Sequence, residues 1–128
     1  MTPPPVIARW IDIVENGDFT QLEELLAADA VFYSPAVFTP QEGRDKTLAY
    51  LTAAGKMFAD TDFGYVEKWY GDRSAILEFA ATIDGKHVNG IDMIHWNDAE
   101  EITSIKVMMR PLQGLQAVVP KMAELLTH

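Results

Sequence analysis

At 128 residues the chain has room for a single domain, and that length is enough to bury a core without covalent staples. There is no cysteine, which excludes disulfides, thiolate metal sites and cysteine nucleophiles and suits a reducing cytoplasm. The formal charge of −9, from 19 acidic and 10 basic side chains with no basic stripe, argues against nucleic-acid binding. No stretch approaches the roughly 18 apolar residues of a membrane span, and the opening MTPPPV lacks the basic start of a secretory signal. The expectation is a cytoplasmic protein that touches neither nucleic acid nor membrane.

After the stiff lead-in Pro3–Pro5, the apolar positions Val6, Ile7, Trp10, Ile11, Ile13 and Val14 predict a helix over 6–15. Asn16-Gly17 stops it, because both residues tolerate the left-handed conformation just past a helix end. Asp18 or Thr20 can cap a second helix that buries Leu22, Leu25 and Leu26. A short strand is expected over 31–34, ended by Pro35. An irregular loop follows to Gly43. Asp45 can cap a third helix over 46–58, with Leu48, Leu51, Ala54 and Phe58 at helical spacing.

The remainder reads as sheet. Strands are predicted over 63–70, 73–83, 87–96 and 102–110, with turns at Gly71-Asp72, Asp84-Gly85 and 97–101. Residues 115–126 suggest a short helix interrupted at Pro120. Helices segregated to one face of an antiparallel sheet make an α+β layer architecture. Long twisted strands curl, so the covered face becomes concave and leaves a pocket beneath the helices. The expected fold is a cone-like curved antiparallel sheet covered by three N-terminal helices.

The segment from Ala8 to Asp18, ARWIDIVENGD, resembles the first helix of bacterial ketosteroid isomerases. Gly43-Arg44 before the third helix is similar too, as is IDMIHW over 91–96 followed by Glu101-Ile102-Thr103. In order these matches span most of the chain. They identify it as similar to the nuclear-transport-factor-2-like superfamily, in its SnoaL-like branch. The resemblance implies a pocket with a carboxylate base and an oxyanion hole of tyrosine plus protonated aspartic acid. Asp92 falls on the protonated-acid position. Ser34 falls on the base position and Trp10 on the tyrosine position, so two of the three parts are missing. A serine without a partner base does not take a proton from carbon at neutral pH, and an indole N–H cannot share a phenolic proton. Limonene epoxide hydrolase, of the same fold, uses an Asp-Arg-Asp set, of which Asp92 and Arg110 would be fragments.

With a period of two, Val88, Gly90, Asp92, Ile94 and Trp96 share one face of a strand, and the resemblance turns that face to the pocket. An acid on a buried face is expected to have a raised pKa and to serve as acid, base or hydrogen-bond donor to a ligand. The structural alternative is that Asp92 satisfies a buried tryptophan N–H or a backbone amide. The rest of the wall is expected from Trp10, Phe32, Ser34, Tyr50, Leu51, Phe79, Ile105, Val107 and Met109, for which core packing is the alternative role. The ligand is expected to be a small apolar molecule.

No metal or cofactor is expected. His87 and His95 lie too far apart on one strand to share a metal, and His128 ends the chain and is expected to be disordered. Phosphate loops and nucleophile elbows are absent. On the opposite sheet face Ile91, Met93 and Met108 would be exposed in a monomer, and the resemblance implies a homodimer through that face. Three functions compete: an isomerase- or hydrolase-type enzyme using Asp92, a non-catalytic binder, and an interaction module with a vestigial pocket.

Overall fold

The computed structural model describes residues 2–127; Met1 and His128, and with the latter the expectation of a disordered C-terminal histidine, lie outside them. The first helix, α1, runs Pro5–Asn16. Proline at its first position needs no N–H partner there. The helix buries Val6, Ile7, Trp10 and Ile13, and it ends on Gly17 at φ 77°, whose N–H donates to the Ile13 carbonyl. The expected second helix is shorter than its leucine spacing suggested. It is a 3-10 turn over Phe19–Gln21 and one α-helical turn, α2, over Leu22–Leu25. Neither Asp18 nor Thr20 caps the backbone there; Asp18 instead holds the side chains of Thr20 and Gln21.

Strand β1, Leu26–Tyr33, starts five residues earlier than the sequence suggested, and a two-residue strand β2, Gln41–Glu42, lies within the expected loop. The longest N-terminal helix, α3, is Arg44–Phe58. Gly43 at φ 103° is its N-cap, not Asp45, which sits in the first turn where a negative charge meets the helix dipole favourably. Then come β3 (Gly64–Tyr70), β4 (Ser74–Ile83), β5 (Lys86–Trp96) and β6 (Ile102–Arg110). The β4–β5 hairpin turns at Asp84 and Gly85, both at positive φ, as the dipeptide predicts.

The six strands form one curved sheet in the order β2-β1-β6-β5-β4-β3. The sheet is mixed rather than wholly antiparallel, because β1 lies parallel to β6. A pairing between strands some seventy residues apart leaves no local turn signal, so periodicity could not reveal its direction. A fourth helix, α4 (Leu112–Leu126), passes through Pro120 without interruption. It lies close on β5 because Gly114 has no side chain: a Cβ there would come 2.5 Å from the His87 carbonyl oxygen. The core fills the space between the helices and the inner sheet face, where β4 buries Ala75, Leu77, Phe79, Ala81 and Ile83 in strict alternation. Among the described residues no helix is long and apolar enough to cross a membrane.

Candidate functional site

The helices do not fill the concave face completely. A cavity of about 1220 Å³ remains between α1, α3, α4 and the inner faces of β3 to β6. Its wall is aromatic and aliphatic. Phe58, Phe63, Tyr65 and Phe79 form a continuous ring cluster, with centroids 4.8 to 5.6 Å apart, and Phe32 stacks on Tyr50 at 5.2 Å. Ionisable groups at the mouth, Glu15, Asp18, Lys56 and Asp60, are exposed.

Nine of the ten residues singled out from the sequence line this cavity: Trp10, Phe32, Ser34, Tyr50, Leu51, Phe79, Asp92, Val107 and Met109. Ile105 does not. It lies on the same face of β6 as Val107 and Met109, but it is paired between Ile94 and Phe32 and fully buried, in the part of the cone that side chains close completely. Arg110 is also absent from the site. Its guanidinium donates to Asn89 on the outer face, so it is no partner for Asp92. Ser34 accepts a hydrogen bond from the Ala36 N–H, which folds the chain after β1 into the mouth.

Among the described residues Asp92 is the one carboxyl in the buried core, 8% exposed on the predicted inner face of β5. Its Oδ2 accepts a hydrogen bond from the Tyr65 hydroxyl at 2.9 Å, and that hydroxyl accepts one from the Trp10 indole N–H, also at 2.9 Å. Oδ1 has no hydrogen-bond partner among the described residues, yet it is not sealed off from the cavity. Burial raises the Asp92 pKa from 3.8 to about 7, and the hydrogen bond from Tyr65 opposes part of that rise. The Tyr65 phenol is pushed well above its usual value, first by burial and then by the neighbouring Asp92 charge. Tyr65 therefore stays a neutral hydroxyl at any ordinary pH.

Tyr65 is the site residue that strand periodicity misses. Counting by two from Tyr70 and Lys68 puts Val66 on the inner face and Tyr65 outside. The register contains a bulge here: Glu67 pairs with Glu78, but Tyr65, not Val66, pairs with Phe79. One extra residue on β3 thus exchanges the two side chains, leaving Val66 60% exposed and turning Tyr65 inward. Gly64 before it was the available sequence signal, since glycine inside a strand often marks a bulge.

Among the described residues no group of three or more His, Asp or Glu side chains is placed to hold a metal. The hydrogen-bonded group on the cavity wall is one carboxyl, one phenol and one indole N–H.

The sequence matches the profile of the SnoaL-like domain over residues 7–105. The structure is similar to that of a steroid delta-isomerase from Pseudomonas aeruginosa, at 33% identity, TM-score 0.90, with 95% of this chain and 89% of that chain covered. It is also similar to a protein with a cystatin-like fold from Silicibacter pomeroyi DSS-3, at 30% identity, TM-score 0.86 and 94% and 84% coverage. A nuclear-transport-factor-2-like protein from Mesorhizobium loti shares the fold at 19% identity and TM-score 0.74, over 83% of this chain and 88% of that one. No curated protein matches the sequence. The matched domain covers most of the chain, and the protein belongs to the SnoaL-like family of the nuclear-transport-factor-2-like superfamily.

Proposed function

We propose that the protein is an enzyme of the isomerase or hydrolase type, which moves a proton to or from an uncharged apolar molecule at Asp92. The observation that carries this reading is a buried carboxyl with a pKa of about 7, bonded to Tyr65 at one oxygen and open to a large apolar cavity at the other. Near neutral pH both protonation forms of such a group are populated, the condition under which general acid–base catalysis is most effective. A ligand that buried an anionic group here would meet Asp92 in a low-dielectric site, where the one cation of the wall among the described residues, Lys56, is exposed at the mouth, so the wall favours neutral molecules. The steroid delta-isomerase from Pseudomonas aeruginosa, one third identical in sequence, supports a proton-transfer chemistry on an apolar carbonyl compound.

The two-carboxylate arrangement of ketosteroid isomerase is not proposed. Its base position holds Ser34, whose hydroxyl is engaged by the loop, and among the described residues the other carboxyls of the wall, Glu15, Asp18 and Asp60, are exposed at the mouth and not bonded to Asp92. Asp92 is then the one buried carboxyl of the wall among the described residues, and the substrate is one whose reaction a single buried carboxyl can serve. The reading of an interaction module with a vestigial pocket sits poorly with a cavity of about 1220 Å³. A non-catalytic binder is the second reading, favoured by the partial satisfaction of Asp92 by Tyr65.

The test is a panel of neutral ketones, a β,γ-unsaturated ketosteroid among them, assayed for binding by tryptophan fluorescence and for turnover by absorbance. Wild type should bind and convert at least one of them, and Asp92→Asn should lose conversion by 100-fold or more (on the order expected for removal of a general acid or base). Binding and conversion unchanged in folded Asp92→Asn would refute the role of Asp92. Binding without conversion would favour the binder.

We further propose a homodimer through the outer sheet face. There Trp69, Ile76 and Met93 form one cross-strand row and Ile91 and Met108 part of the next. Trp69 and Met108 are each 50% exposed, a cost that a second copy of the face would remove.

A further inference from the structure

We infer that Trp10 and Tyr65 are positioning residues that decide which oxygen of Asp92 a ligand meets. The inference rests on the reading of Asp92 as the ligand-facing acid and adds the direction of its hydrogen bonds. An indole N–H only donates, whereas a tyrosine hydroxyl has one proton and two lone pairs. Trp10 Nε1 lies 2.9 Å from the Tyr65 oxygen and fills one of those lone pairs. The single Tyr65 proton then goes to the acceptor at 2.9 Å on the other side, Asp92 Oδ2. The chain therefore runs one way, from Trp10 to Tyr65 to Asp92.

The consequence falls on the other oxygen. With Oδ2 occupied as an acceptor, the proton of the neutral carboxyl resides on Oδ1, which has no hydrogen-bond partner among the described residues and is not sealed off, in a side chain that lines the cavity. The protonated site presents one O–H and selects a ligand acceptor such as a ketone or ester carbonyl oxygen. Three elements are needed to build it: α1 for Trp10, the bulge in β3 for Tyr65, and the inner face of β5 for Asp92. Gly90 adds the space, because a Cβ there would come 2.5 Å from the Phe79 ring, which lies in the same cross-strand row as Tyr65. The other ionisable groups along the wall are Tyr50 on α3 and, exposed at the mouth, Glu15, Asp18, Lys56 and Asp60; none of them is hydrogen-bonded to the carboxyl.

The experiment is a carbon-13 titration of the Asp92 carboxyl in the full chain, with the signal assigned by its loss in Asp92→Asn. Tyr65→Phe should raise the Asp92 midpoint by about one unit or more, since a hydrogen bond to the charged form is removed. Trp10→Phe should raise it by less, because the phenol is kept and only its orientation is released. A merely structural Tyr65 would lower stability and leave the midpoint where it was, and that result overturns the inference. Should Tyr65→Phe fail to fold, global replacement of tyrosine by 3-fluorotyrosine, a stronger donor, should lower the midpoint, and no change would again overturn it. The underlying reading fails separately: Asp92→Asn that still binds and converts the ketone panel removes the role of Asp92, whatever Tyr65 does to its titration.

Discussion

The pKa of Asp92 is also a statement about stability. In the unfolded chain an aspartate loses its proton near 3.8, whereas native Asp92 keeps it to about 7. Between those values the native state binds more protons than the unfolded one, so stability falls as pH rises through that window. Below about 4 the penalty is absent, and above about 7 it is complete. The gap corresponds to roughly 4 kcal/mol at most, at about 1.4 kcal/mol per unit. Asp92→Asn cannot ionise and retains an oxygen for Tyr65. It is predicted to be more stable than wild type by roughly 2–4 kcal/mol at pH 8 and equal to within about 1 kcal/mol at pH 4. Urea unfolding at the two pH values checks this. A protein that gains stability and loses activity by the same substitution is what a strained functional group should give. Asp92 was legible because the resemblance to ketosteroid isomerases puts it on the protonated-acid position and turns its strand face inward, where period two sets it between Gly90 and Ile94. Tyr65 was not, since one inserted residue reverses every inside–outside assignment on its far side.

Elements with strong local signals are legible in the sequence, and those set by tertiary contact are not. The stripe of α1 and its Asn16-Gly17 stop gave that helix to within a residue at each end. The β4–β5 hairpin followed from Asp84-Gly85 and the alternation on either side. Pro120 predicts an interruption in α4, because proline weakens a helix interior. What holds it is its docking: it buries Gly114 and Val118 and supplies Val118 and Met122 to the cavity wall. Gly114→Ala tests that account. Helix propensity alone predicts a gain of about 1 kcal/mol. A methyl group 2.5 Å from a strand carbonyl must instead push the helix off β5. A net loss of about 1–3 kcal/mol is expected by chemical denaturation, as for other overpacked sites. A more stable Gly114→Ala would show that α4 sits less tightly than described. Ile105 marks the limit of pattern reading on the sheet. Period two placed it on the correct face, but no pattern says where along a cone the packing stops and the cavity starts.

At the scale of the whole molecule, the two sheet faces differ in what they carry. The inner face encloses the cavity, and the outer face carries Trp69, Ile91, Met93 and Met108. Light scattering at micromolar concentration is predicted to give twice the mass of the 14.3 kDa chain. The double substitution Trp69→Lys with Met108→Lys should give a monomer, while a monomeric wild type would refute the pairing. Burial on the inner face, between Leu77 and Val107 in the sheet, is the largest cause of the Asp92 shift. The most direct test of an acid–base pocket is the carbon-13 titration of Asp92 in the unmodified protein. A midpoint near 7 is predicted; a midpoint near 4 would mean that the carboxyl is as well solvated as one on the surface, and would contradict the reading of this pocket as an acid–base site.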